Sequence, residues 1–210
     1  MSNFQLNLSK PNEAVQKLSL NLDKGEKFKI RLSWDGNVDL DLHALVAKNS
    51  GSGAKIYAFD DILSTYNVKR MIRGQETGTL SLAADKTFSV HGKALIHSPD
   101  ATDGHIDGDD EWIFVDPTLL TMPVAGCIEI PLIAMIHPQN SNRTFRDVQN
   151  ARVIIENASG NELLNVSLSN QFGEFIGVQM GSIMIDSAAS FVAVGVGFNS
   201  DFNQVLSHFS

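Results

Sequence analysis

Apolar and polar residues alternate along much of this chain with a period of two. From Glu26 to Trp34 the sequence EKFKIRLSW places Phe28, Ile30, Leu32 and Trp34 on one face and polar side chains on the other, the pattern of a half-buried strand. Shorter alternations recur at FQLNL (4–8) and LSLNL (18–22). Unbroken apolar runs of strand length occupy LHALVA (42–47), EWIFV (111–115), CIEIPLIAMI (127–136), ARVIIE (151–156) and SFVAVGVGF (190–198), bounded by Gly, Asn, Asp, Ser and Pro, which close strands and open turns. Pro131 has no N–H to give to a ladder, so its strand is expected at a sheet edge or bulged at that point. Only 141–150 and 201–209 read as helical. The segment 64–89 is mixed in pattern and holds Lys69, Arg70 and Arg73; it reads as a long loop, an insertion or a small extra hairpin. Many short strands at this spacing predict an all-β fold, a sandwich of two antiparallel sheets with one or two short helices, in a single domain over 1–210.

At 210 residues and 43% hydrophobic composition, the chain has enough apolar surface for a sizeable core. Its 24 acids and 16 bases leave a net charge of −8, opposite to the footprint of a protein that grips phosphate backbones, so nucleic acid is not an expected partner. No apolar run approaches the ~18 residues that span a bilayer, and MSNFQLNLSK lacks the basic start and apolar stretch of a signal peptide. A single cysteine, Cys127, excludes a disulfide within the chain and fits a reducing compartment, so a cytoplasmic protein is expected. Cys127 opens an apolar run with no cation beside it and is expected to be a packed core residue, not a reactive thiol.

The negative charge is not spread evenly. From Asp100 to Glu111 the chain reads DATDGHIDGDDE, with Asp100, Asp103, Asp107, Asp109, Asp110 and Glu111 as its acids and no Lys or Arg. Asp39 and Asp41 in VDLDL add two more; without these eight, sixteen acids face sixteen bases. A solvated acidic loop is one reading of such a run. The other is a cation site, because Gly104 and Gly108 allow sharp turns that let the carboxylates converge, and crowded like charges repel unless a cation sits among them. Many hard oxygens on a loop suit Ca²⁺, as one or two ions, better than Mg²⁺, which takes few carboxylates and keeps its waters. The flanks are strand-like and the spacing is not that of an EF-hand. None of the six histidines has zinc-site spacing; His105, inside the acidic run, is placed to hydrogen-bond a ligand carboxylate. Paired carboxylates also serve glycoside hydrolysis, but that chemistry needs sugar-stacking aromatics, and Trp112, the only one beside the cluster, is expected in the core. The Asp-x-Asp at 39–41 resembles a glycosyltransferase metal motif that belongs to a nucleotide-binding α/β fold unlike this one. No G-x-S-x-G elbow is present. The expectation is that the protein is not an enzyme.

With these residues quoted, the sequence resembles the TerD family of tellurium-resistance and stress-response proteins. The match runs in order through LSWDGNVDLDLHALV (32–46), IYAFDDILS (56–64), LIHSPDATDGHIDGDDEWIFVD (95–116), MIHPQNSNRTFRDVQNARVIIENASGNELLNVSL (135–168) and FVAVGVGFNSDFNQVLSHF (191–209). The resemblance implies a cytoplasmic β-sandwich that binds Ca²⁺ through acidic loops at one end, with Asp39 and Asp41 on one loop and Asp100, Asp107, Asp109, Asp110 and Glu111 on the other. Ala101 and Ile106 stand where the family usually has Asn and Gly, Pro138 where an acid is common, and Asp60 and Asp61 where Asn is usual. The implied role is a Ca²⁺-binding interaction module of a tellurite-resistance, stress-response or phage-defence system, its partners being other proteins of that system. Two alternatives stand beside it: a self-associating structural or assembly protein of a virion or surface using the same metal-stapled sandwich, and a metal-dependent hydrolase.

Overall fold

The structure is a computed structural model and describes residues 5–6, 16–20, 22–23, 25–104, 110–168 and 172–210. Two sheets face each other across one core. The first runs in the order Gln5–Leu6, Glu162–Ser167, Gln149–Asn157, Phe28–Asp35, Glu111–Val115, Leu95–His97, Phe88–Val90. The second runs Gln16–Ser19, Ala189–Ala193, Gly177–Ile185, Cys127–Ile136, Leu40–Leu45, Ile62–Leu63, with Val196–Phe198, Ala47–Asn49 and Ala54–Lys55 attached beside this path. Among the described strands, pairing is antiparallel except for Gln5–Leu6, which lies parallel to Glu162–Ser167. This is the all-β sandwich that the alternation predicts.

Strand Phe28–Asp35 shows why the pattern works. Phe28, Ile30, Leu32 and Trp34 are all buried between the sheets, because a period-2 strand commits every second side chain to the same face. They meet Leu40, Leu42, Ile130, Leu132, Val178 and Phe191 of the second sheet in one apolar cluster. Leu40–Leu45 is buried on both faces, and its other face lies in a second cluster formed by Leu45, Ile133, Met135, Phe202, Val205 and Phe209. Those last three belong to the C-terminal helix Phe202–Leu206 and the 3₁₀ turn Ser207–Phe209. The helix begins on a reciprocal cap between Asp201 and Gln204, which satisfies two backbone donors that a helix start leaves over.

Several expectations are corrected. Residues 141–150 are not a helix: a 3₁₀ turn at Phe145–Asp147 leads directly into strand Gln149–Asn157, with Phe145 as its apolar anchor in the core. Cys127–Ile136 is an interior strand. Pro131 is accommodated because Ile130 and Pro131 pair only with Gly177–Ile185; on the other side they fall between the partners of Ala47–Asn49 and Leu40–Leu45. The register shift in this strand comes just after, between Leu132 and Ile133. Trp112 is not in the core, since Glu111, Ile113 and Val115 take the inward positions, and its half-buried ring lies under Lys29 Nζ at 5.4 Å on the outer face. Cys127 is only partly buried and rests its Sγ 3.8 Å from Asn49 O. FQLNL (4–8) lies mostly outside the described residues.

Within 64–89, Arg70–Ile72 pairs with Gln75–Thr77 as an exposed hairpin. Its base is closed by a clasp: Asn67 O accepts from Thr79 N and Leu80 N, and Leu80 O accepts from Lys69 N. Gly78 makes the clasp possible, having φ +77° and a Cβ position only 2.5 Å from the carbonyl oxygens of Asn67 and Val68.

Candidate metal centre

The two acidic segments meet at one end of the sandwich. Gly104 N donates to Gly36 O at 2.8 Å across an isolated bridge, and a Cβ at Gly104 would stand 2.5 Å from both the Trp34 carbonyl oxygen and its ring. Only glycine allows that approach. Asp110 reinforces it, its Oδ2 accepting from Trp34 N at 2.9 Å. The loop after Phe28–Asp35 and the loop before Glu111–Val115 are thereby held side by side.

Asp41, Asp100 and Glu111 converge there, offering carboxylate oxygens that all lie within 4.8 Å of one another. Asp41 and Glu111 are buried, and Asp100 is exposed at the rim. Asp41 extends from Leu40–Leu45 toward residues 65 and 66: Thr65 Oγ1 donates to Oδ1 at 2.9 Å and the Tyr66 hydroxyl to Oδ2 at 2.6 Å. Glu111 takes an inward position in its strand and accepts from Leu42 N on Oε2 at 2.6 Å, while its Oε1 is buried without a hydrogen-bond partner among the described residues. Asp39 repeats this arrangement on a smaller scale. Gln139 Nε2 donates to its Oδ2, Asn140 Oδ1 accepts from its backbone N at 3.0 Å, and Asp39 Oδ1 has no hydrogen-bond partner among the described residues.

Burial raises the affinity of these groups for protons. It lifts Asp41 from the ordinary carboxylate range up to about 6, against the hydrogen bonds from Tyr66 and Thr65 and with Asp39 adding to the rise. Glu111 is pushed well up by burial and then by the charges of Asp41 and Asp100. Asp39 is raised too, by burial first and then by Asp100 and Asp103, with His137 and Gln139 opposing. Three carboxylates this close in a desolvated setting are not all ionised without a compensating positive charge.

His97 ties the sheets together beside this cluster. Its ring stacks on Phe88 at 4.6 Å, and its nitrogens lie 2.9 Å from Ser98 O and 2.9 Å from Leu42 O. Burial pulls its pKa down, and a neutral ring donates to one of these carbonyls at a time. Its Nε2 stands 3.8 Å from Glu111 Oε2.

The eight carboxylates singled out in the sequence therefore divide. Asp41, Asp100 and Glu111 form the cluster, Asp39 acts on Asp41 and Asp103 on Asp39 through their charge, and Asp110 holds Trp34. Asp107, Asp109 and His105 lie outside the described residues. Asp61, which stands where the family usually has Asn, pairs with His91 at 2.9 Å. The alternation did not point to Thr65, Tyr66, Gln139 or the Leu42 amide. Tyr66 carried one readable signal, an aromatic hydroxyl just after Ser64, which caps the 3₁₀ turn Thr65–Asn67 by accepting from Tyr66 N.

Two solved structures share this architecture. One is a homologue of the telluride resistance protein TerD from Streptomyces coelicolor, with a TM-score of 0.59 at 19% identity, covering 86% of this chain and 95% of its own. The other is a protein of unknown function, with a TM-score of 0.60 at 16% identity, covering 87% and 96%. At such identities the likeness is one of fold. No curated protein matches the chain. The TerD domain matches residues 87–209, which include Asp100, Glu111, the strands Cys127–Ile136, Gly177–Ile185 and Ala189–Ala193 of the second sheet and the C-terminal helix, and on this match over more than half its length the chain belongs to the TerD family.

Proposed function

We propose that this protein binds Ca²⁺ through Asp41, Asp100 and Glu111, and that the ion orders the two acidic loops as a surface for a protein partner of a tellurite-resistance or stress-response system. The observation that carries the reading is Glu111, a fully buried carboxylate that lies within 4.8 Å of the Asp41 and Asp100 carboxylates and whose Oε1 has no hydrogen-bond partner among the described residues. Leaving such an atom unserved costs about 1–3 kcal/mol or more, and a cation among the three groups removes that cost together with their repulsion. Ca²⁺ is the ion of choice because it accepts 6–8 oxygens in irregular arrangements, and the Asp39 carboxylate, whose charge acts on Asp41, adds to the three. The role is binding, since Asp41 and Glu111 are engaged by Thr65, Tyr66 and the Leu42 amide.

Calorimetric titration of metal-stripped protein with Ca²⁺, repeated with Mg²⁺, tests this. Ca²⁺ is expected to bind and Mg²⁺ to bind more weakly. At a hundredfold excess over Kd the ion stabilises the native state by about 2.7 kcal/mol, so the Tm rises. A Tm indifferent to saturating Ca²⁺ would sink the metal reading. Amide hydrogen exchange over 35–43 and 98–112 tests the ordering, with stronger protection expected in the loaded protein.

A further inference from the structure

A cavity of about 330 Å³ opens beside the metal cluster, between the C-terminal helix and the segments 59–67 and 78–79. Phe59, Tyr66 and Phe202 contribute aromatic rings to it, and Ile62 and Leu206 aliphatic side chains. Asn67 and Thr79, two of its polar walls, are already served from within the chain. Asn67 Nδ2 donates to Phe59 O at 2.8 Å and to Ile62 O at 3.0 Å, and its Oδ1 accepts from both N and Oγ1 of Thr79 at 3.2 Å. None of the described residues lining the cavity carries a charge. A space of this size, with aromatic walls, no charge and the Asn67 amide satisfied from within the chain, fits a neutral molecule of one or two rings and disfavours ions, which would lose their hydration without compensation.

Tyr66 gives the cavity a second property. Its ring is a wall of the cavity, while its hydroxyl donates to Asp41 Oδ2 at 2.6 Å. The ring is held by contacts with His43 at 4.9 Å, Phe202 at 5.4 Å and His137 at 5.8 Å. We propose that the cavity is a binding site for a small neutral aromatic molecule, and that its occupancy and metal loading favour one another through the Tyr66–Asp41 hydrogen bond. A ring seated against Tyr66 restricts the hydroxyl to its place on Asp41 and so fixes the carboxylate in the orientation the cation uses; linkage then requires the cation to tighten the ring's binding by the same factor. The coupling rests on the Ca²⁺ reading above, whereas the cavity does not.

The test uses indole and benzyl alcohol as probes, with benzoate and benzylammonium as charged comparators, titrated into the full chain by calorimetry and by amide chemical shifts. The neutral probes are expected to bind and to shift residues 59–67 and 202–206, with the charged comparators at least tenfold weaker. L206W, which fills the cavity, is expected to abolish binding. If L206W fails to fold, N203W blocks the mouth from an exposed rim position. Saturating Ca²⁺ is expected to tighten the neutral probes at least fivefold, and Y66F, which keeps the ring and removes the hydroxyl, to reduce that response below twofold. Absence of probe binding, or comparators that bind equally well, would overturn the site. Probe binding unaffected by Ca²⁺, or a response that survives in Y66F, would overturn the coupling. Probe binding in a protein that takes no Ca²⁺ would overturn the metal reading and the coupling together while the cavity site stands.

Discussion

A carboxylate that is buried and raised in pKa binds protons more tightly in the native state than in the unfolded chain. For Asp41 the window runs from its ordinary value of 3.8 to about 6. Below that window both states are protonated and the contribution to stability is complete; as pH rises through about 6 the native state must ionise a buried acid and the contribution is lost. Metal-free protein is therefore expected to melt at a lower temperature at pH 7.5 than at pH 5, and D41N to flatten that difference, as read from thermal melts at both pH values. Ca²⁺ binding should strengthen over the same rise in pH, since the ion competes with the protons. The companion variant E111Q keeps the shape of the buried side chain and removes its charge. It is expected to weaken Ca²⁺ at least tenfold in calorimetry while leaving the metal-free protein as stable as the wild type or more so at pH 7.5. The acidic character of this centre was legible in the sequence, because the excess charge is confined to two short segments. The hydrogen-bonding shell was not. Tyr66 and Gln139 reach Asp41 and Asp39 from positions 25 and 100 residues away along the chain, and no local pattern records such a meeting.

One strand announced itself in the sequence because one face is buried and the other is not, whereas Glu162–Ser167 alternates in burial too and was passed over. Phe28–Asp35 alternates strictly between buried and less buried positions, and its inward residues were readable one by one. Gly177–Ile185 was missed for the opposite reason. It lies inside the second sheet with most residues buried on both faces, so it carries no alternation, and two glycines interrupt its apolar run. Trp112 was misplaced because the apolar run EWIFV gave no phase; its inward positions are Glu111, Ile113 and Val115, and a buried acid is an unusual way to begin a core-facing set. At this scale Gly104 carries the alignment of the two loops. G104A is expected to cost about 1–3 kcal/mol, typical of a forced backbone shift, and to weaken Ca²⁺ binding without removing a ligand; urea unfolding and calorimetry on the same variant check both. The C-terminal helix is anchored by Phe202, and F202A is expected to destabilise by about 3–5 kcal/mol, the usual cost of emptying a large aromatic site. An unfolding midpoint unchanged in F202A would mean that the helix is not part of the cooperative unit.

For the molecule as a whole, sheet-on-sheet architecture is shared with structures at 19% and 16% identity, so the requirement that the sequence must meet is the placement of apolar side chains on inner faces, which many sequences satisfy. The charged end is a separate matter, set on loops that the sandwich positions. The hairpin Arg70–Thr77 is separate in another sense. Its strands pair only with one another, and the backbone hydrogen bonds of Asn67, Lys69, Thr79 and Leu80 close the chain beneath it. Whatever lies beyond that closure contributes little to the fold that supports it. The hairpin is thus a natural graft point: residues 71–76 can be exchanged for a Gly-Ser bridge, an epitope or a fluorescent peptide, because the register across the gap is already set by Arg70 and Thr77 standing opposite each other. The exchange should leave the Tm within a few degrees of the native chain, giving a labelled or tethered form of the protein with its charged end and its core undisturbed.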